Sequence, residues 1–173
     1  MSVDGPQPMT PELAARNRRI IVGVAVVFVI TSVAVFAWGL GIVGKTRARA
    51  RAMDAALRST AWTILCYAEA NGGAFPTGEA ALAGFDAAAA KAPASGEGWP
   101  ATREAAMDGL EWLSPAECGG VGATWPSGGA NPGYAAPQLN SKGEPSGYGT
   151  LDTVNGWLAA YARARVAAPA AAK

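Results

Sequence analysis

The stretch QLNSKGEPSGYGTLDTVNGW, Gln138 to Trp157, holds four glycines, one proline and two acids, Glu144 and Asp152. Glycine-rich turns carrying carboxylates are one way a chain wraps a hard cation such as calcium, which takes about six to eight oxygens. Two acids are few for that task, and Lys142 places an ammonium among them. The other residues with chemical potential are sparse. Asp108 and Glu111 stand at helical spacing and could be drawn as general acid and base, but the pattern is equally that of a solvated face. Cys66 and Cys118 form a candidate disulfide closing a loop worth about 4 kcal/mol in the chain-entropy model; the alternative is a buried free thiol on a helix. Their separation excludes a CxxC redox pair. The chain has no histidine, which removes the usual general base and zinc ligand together with every Ser/His or Cys/His arrangement. A non-enzymatic protein is the reading these residues favour.

The elements that must position these groups begin in a membrane. Ile20 to Val43 runs 24 residues without a charge, enough to cross a hydrocarbon core of about 30 Å. A cleaved signal ending at the ARA of Ala48–Ala50 is the alternative, but the apolar run is too long for a signal core. Arg16, Arg18 and Arg19 precede the span, and Lys45, Arg47, Arg49 and Arg51 follow it, so the flanking charges choose no side. The alternating arginines lie about 200° apart on a helix and predict a headgroup collar around its circumference. Residues 1–51 hold seven Lys/Arg against two acids, and residues 52–173 hold seven against eleven. A nucleic-acid partner would want the basic part to be the folded domain, which it is not.

Beyond the collar, the chain keeps helical character until Asn71-Gly72-Gly73, a strong C-terminal stop. Met53, Leu57, Ala61, Ile64 and Ala68 recur at three- and four-residue spacing as an apolar face, with Arg58 and Glu69 assigned to the opposite one. Joined to the membrane helix, this stalk gives a rod of about 80 Å from Arg18 to Ala70. Farther on, Glu104 to Cys118 predicts a short amphipathic helix or a strand around Leu110, Trp112 and Leu113. The tryptophans read as core filler, and a ligand platform of Trp99, Trp112 and Trp125 would require a pocket.

A long half-apolar helix followed at once by NGGAFPTGEAALAGF resembles the type IV pilin superfamily, and more narrowly the major pseudopilin of type II secretion. Tyr67, Asn71-Gly72, Phe75, Pro76-Thr77 and Leu82 match that family's helix end. Leu139, Gly143, Pro145, Gly147, Gly149, Val154 and Trp157 match the spacing of its C-terminal loop. The family's loop binds calcium, but Lys142, Leu151 and Thr153 fall where its aspartates stand, and Asp152 lies between two of them. The resemblance therefore implies a scaffold loop without a cofactor around Leu139, Lys142 and Asp152, with the Lys142 ammonium donating to loop carbonyls or to Asp152, or else pointing to solvent. The family's cleavage glycine and its glutamate at the fifth mature position are absent: Arg18-Arg19 precede the run, and its first charge is Lys45.

The expected fold class is α+β: a single-pass membrane protein whose long N-terminal helix packs on a small pilin-like domain with a few antiparallel strands. Its parts are a tail (1–19), a membrane helix (20–44), a stalk helix (45–71), a soluble domain (72–166) and a disordered tail (167–173). The resemblance implies the bacterial inner membrane, a cytoplasmic N-terminus and a periplasmic domain. Expected partners are lipid and either copies of the chain or other integral membrane subunits. Two functions remain open: a pseudopilin-like subunit of a secretion or pilus-type assembly, and an accessory subunit stabilising a larger membrane complex.

Overall fold

The computed structural model describes residues 11–94, 96–126 and 135–167. Helix α1 spans Pro11–Ala70, with proline in its first turn and Glu12 beside it, a residue choice suited to the unpaired amides and positive dipole of a helix start. The chain divides into two compact units that meet at Lys45 and Thr46.

In the first unit every large apolar side chain from Ile20 to Val43 named as a membrane candidate is exposed, including Phe28, Phe36 and Trp38. α1 is long and apolar enough to cross a membrane, and none of its most apolar window is buried. The helix begins at Pro11, earlier than the sequence-based boundary at residue 20, so the arginines at 16, 18 and 19 belong to it.

In the second unit α1 is the central element. Met53, Leu57, Ala61, Ile64 and Ala68 are all buried, as their spacing predicts. The opposite face is buried as well: Ala55, Ala56, Ser59, Trp62, Thr63 and Cys66 are enclosed. The expected polar side is therefore corrected. Arg58 keeps only 16% of its side chain exposed and donates to the Ala106 carbonyl at 2.8 Å, while the Glu69 side chain is 11% exposed. Small residues let the surrounding chain approach this face, and the Ser59 and Thr63 hydroxyls are hydrogen-bonded. Ser59 Oγ accepts the Leu113 N–H at 3.1 Å, and Thr63 Oγ1 donates to the Ser59 carbonyl at 2.8 Å.

Asn71-Gly72-Gly73 stops α1 as expected. Gly72 takes φ 66°, and the Gly73 N–H reaches back to the Ala68 carbonyl at 2.7 Å, the six-to-one bond of a Schellman cap. The turn sends buried Phe75 and Pro76 back onto the helix. Short helix α2 (Glu79–Leu82) follows, then α3 (Arg103–Met107), whose N-cap Thr102 hydroxyl accepts the Ala105 N–H at 3.2 Å. The element expected around Leu110, Trp112 and Leu113 is not there. Asp108 closes α3 in the left-handed conformation, φ 50°, and residues 110–113 are irregular until a 3-10 turn at Pro115–Glu117. Asp108 and Glu111 therefore share no helix.

Among the described residues the sheet has two strands, β1 (Gly122–Thr124) and β2 (Gln138–Asn140), antiparallel with Ala123 opposite Leu139. The α+β class holds in this form. Helix α4 (Thr150–Ala167) packs on β2 and corrects the expectation of a loop running to Trp157. Val154, Leu158 and Tyr161 recur at helical spacing and are buried against α1. The expected disordered tail lies outside the described residues from Ala168 onward, as do positions 1–10 of the N-terminal tail.

Candidate functional site

The loop between β2 and α4 is pinned from a distance. Asp54 of α1 accepts the Gly147 N–H on Oδ1 at 2.7 Å, bridging 93 positions of sequence. A carboxylate does serve this loop, but it comes from the first helix. At the loop's start, the Asn155 amide clasps one residue twice: its Oδ1 accepts the Leu139 N–H at 2.8 Å and its Nδ2 donates to the Leu139 carbonyl at 3.1 Å. Both bonds satisfy backbone groups that the short sheet leaves open.

Of the two expectations for Lys142, the structure shows the one in which it faces solvent. Its backbone adopts φ 49° and its N–H bonds Asn140 Oδ1 at 3.1 Å, while its side chain is exposed and its ammonium makes no bond to a described residue. Glu144 and Asp152 are exposed, Asp152 in the first turn of α4. Among the described residues no three acids, cysteines or histidines converge as metal ligands. The turn glycines are used as expected: Gly143 and Gly149 have φ 86° and 78°.

The two cysteines are free and buried in different parts of the core, so the candidate disulfide is not formed. Cys66 packs with Trp62 and Ala106, and Cys118 packs in the larger cluster with Met53 and Leu139. Burial, aided by the nearby Glu69 charge, pushes the Cys66 thiol up to about 11. Burial also pushes Cys118 up, partly offset by the neighbouring Thr60 hydroxyl.

The three tryptophans considered as a ligand platform are dispersed. Trp99 packs edge-on against Tyr161 at 5.4 Å and donates to the Ala94 carbonyl at 3.0 Å. Trp112 joins the Cys66 cluster under the Arg103 guanidinium, 5.9 Å from the ring centre. Trp125 lines a partly open cavity of about 620 Å³ between α1, α2, the 3-10 turn and β1.

A polar lock missed by the sequence reading ties the end of α1 to α4. Tyr161 donates its phenol to Glu69 Oε2 at 2.9 Å, Arg165 Nε donates to that phenol oxygen at 3.0 Å, and the Arg165 guanidinium pairs directly with Glu69. Burial alone would raise the Glu69 carboxyl, but the Tyr161 and Arg165 hydrogen bonds hold it below its ordinary value. Burial and the bond to Glu69 push the Tyr161 phenol up to about 12. The available signal was Tyr161 and Arg165 four apart on a helix.

Lys45, Arg47, Arg49 and Arg51 are all exposed on α1, as a collar requires. Among the described residues the acids either hold backbone, pair with arginine or face solvent. Compared with known proteins, the chain matches no family model, no curated protein and no solved structure.

Proposed function

We propose that the chain is a non-enzymatic, membrane-anchored structural subunit. One observation carries this reading: α1 uses residues 53–68 as the core of a folded unit, while its 20–43 stretch leaves every large apolar side chain uncovered. Lipid or neighbouring membrane helices are the surroundings in which such a surface is stable.

Within that reading the protein is a pseudopilin-like subunit of a secretion or pilus-type assembly, in the bacterial inner membrane with its folded domain in the periplasm. Support comes from the residues that carry the resemblance. Five of the matched positions, Phe75, Pro76, Leu82, Leu139 and Val154, are buried and take part in the domain's packing. The second reading, an accessory subunit of a larger membrane complex, is favoured by the absence of any acid within the apolar run and of a glycine directly before it.

Native protein purified in mild detergent separates the two. A filament-type subunit is trimmed at its N-terminus and cross-links to itself. An accessory subunit retains Met1 or Ser2 and copurifies with another integral membrane protein. Recovery as an untrimmed monomer with no companion would count against both.

A further inference from the structure

Arg47, Arg49 and Arg51 stand on the part of α1 that belongs to the folded unit, and all three are exposed. No acid occurs between Glu12 and Asp54, and among the described residues no ion pair holds any of the three arginines. Asp54, the next acid in the chain, is engaged with the Gly147 N–H at 2.7 Å. Helical spacing puts Arg47 and Arg51 one turn apart on the same side of α1, with Arg49 on the other. Like charges at that spacing repel, and an anion seated between them relieves the repulsion. A phosphate suits the guanidinium fork, whose paired N–H groups meet two oxygens at once.

The position along α1 says where that phosphate comes from. Arg47, Arg49 and Arg51 follow Val43, the end of the apolar run, by four to eight positions, about 6–12 Å of helical rise. The headgroup layer beside the hydrocarbon core is about 5–8 Å thick. Side chains on a helix lean toward its N-terminus, here toward the apolar run, which brings the guanidinium groups to the level of lipid phosphates.

A second feature lies at the same end of the folded unit. Tyr148 is fully exposed, whereas the other described aromatic side chains of the unit are buried or half-buried. Its neighbour Gly147 is held by Asp54, three residues beyond Arg51. Tyrosine is enriched where a membrane meets water, its amphipathic ring at the headgroup level. Charge orients the unit in the same sense: residues 52–173 hold seven Lys/Arg against eleven acids, so an anionic surface attracts the arginine end and repels the remainder.

We propose that Arg47, Arg49, Arg51 and Tyr148 form a docking face for anionic phospholipids, whose phosphates seat the folded unit on the bilayer. This rests on the membrane-anchored reading above and adds to it the class of lipid.

The test places the full chain in phosphatidylcholine nanodiscs carrying a trace of spin-labelled phosphatidylglycerol or spin-labelled phosphatidylcholine. Electron paramagnetic resonance reads the fraction of each that the protein immobilises. At low salt, phosphatidylglycerol is expected to associate at least threefold more strongly, and high salt removes most of that preference. Arg47→Gln/Arg49→Gln/Arg51→Gln lowers the preference at least twofold, while Arg47→Lys/Arg49→Lys/Arg51→Lys keeps more than half of it. A bimane attached to Tyr148→Cys, in a Cys66→Ala/Cys118→Ala background, emits at shorter wavelength in nanodiscs containing phosphatidylglycerol than in phosphatidylcholine alone. Equal association of the two lipids, a preference unchanged in the folded glutamine variant, or a bimane that stays water-like in both nanodiscs would each overturn the docking face while leaving the chain inserted. Exclusion of the chain from nanodiscs would overturn the membrane reading with it. Should the glutamine variant fail to fold, the salt dependence and the bimane shift decide.

Discussion

Asp54 and Gly147, 93 positions apart, meet through a 2.7 Å hydrogen bond that fastens the glycine-rich loop to the first helix. The approach is close: a Cβ at position 147 would stand 2.5 Å from Asp54 Oδ2 and 3.1 Å from Thr150 Oγ1, so alanine there would displace the carboxylate that holds the loop. Residues read as a degenerate metal loop are thus a clamp between the two ends of the folded unit.

The clamp predicts a specific coupling. Asp54→Ala removes a charge-assisted bond and lowers stability by about 1–3 kcal/mol. Gly147→Ala is destabilising in the wild-type background and costs less in Asp54→Ala, where the crowding carboxylate is gone. Denaturant unfolding of the four proteins in a double-mutant cycle measures this, and additive losses would refute the clamp.

At the other end of the helix the Glu69 lock sets an acid limit. Its folded pKa lies below its unfolded one, so its stabilisation is full above the ordinary carboxylate value of 4.5 and is lost as pH falls through the folded value. Glu69→Gln leaves Arg165 without its anion and costs about 1–3 kcal/mol at neutral pH. Below the folded pKa the variant and the wild type converge. Melting temperatures of both from pH 7 downward check the convergence.

The alkaline limit has the opposite sign. The Cys66 thiol is raised from 9.0 to about 11 and the Tyr161 phenol from 10.0 to about 12. An acid whose folded pKa is raised stabilises the fold below its unfolded value and loses that contribution as pH climbs through the folded one. Stability therefore declines from about pH 9, first through the two buried thiols, Cys66 and Cys118, and then through Tyr161. Cys66→Ala flattens the earlier part of the decline, between pH 9 and 11. Tyr161→Phe, which keeps the ring packed beside Phe75 and Trp99, flattens the part between pH 10 and 12. Melting curves across this range read each contribution separately.

Much of α1 is legible because its signals are local. An uncharged apolar run, a three- and four-residue apolar spacing and an Asn-Gly-Gly stop each follow from consecutive residues. The burial of its opposite face is not, since Ala55, Ala56 and Ser59 carry no pattern that distinguishes a surface from a close contact. α4 was hidden by Gly149, Thr150, Asn155 and Gly156, which read as turn residues, although Leu151, Val154, Leu158 and Tyr161 carry a helical period. Asn155 and Asp54 use their side chains on backbone groups far away or across a turn. Such pairings depend on where the chain returns, which spacing alone does not encode. The same holds for Lys142: its position in the loop was clear, but the charge that serves the loop arrives from α1.

The claim that residues 20–43 cross a membrane, with the folded unit on one side, is tested most directly by two single cysteines placed in a Cys66→Ala/Cys118→Ala background. Ala14→Cys and Ala48→Cys flank the span at exposed helical positions. In intact cells or sealed vesicles, a membrane-impermeant maleimide should label one of them before lysis and the other only after it, with Ala48→Cys on the side of the folded unit. Equal labelling of both before lysis would contradict the account.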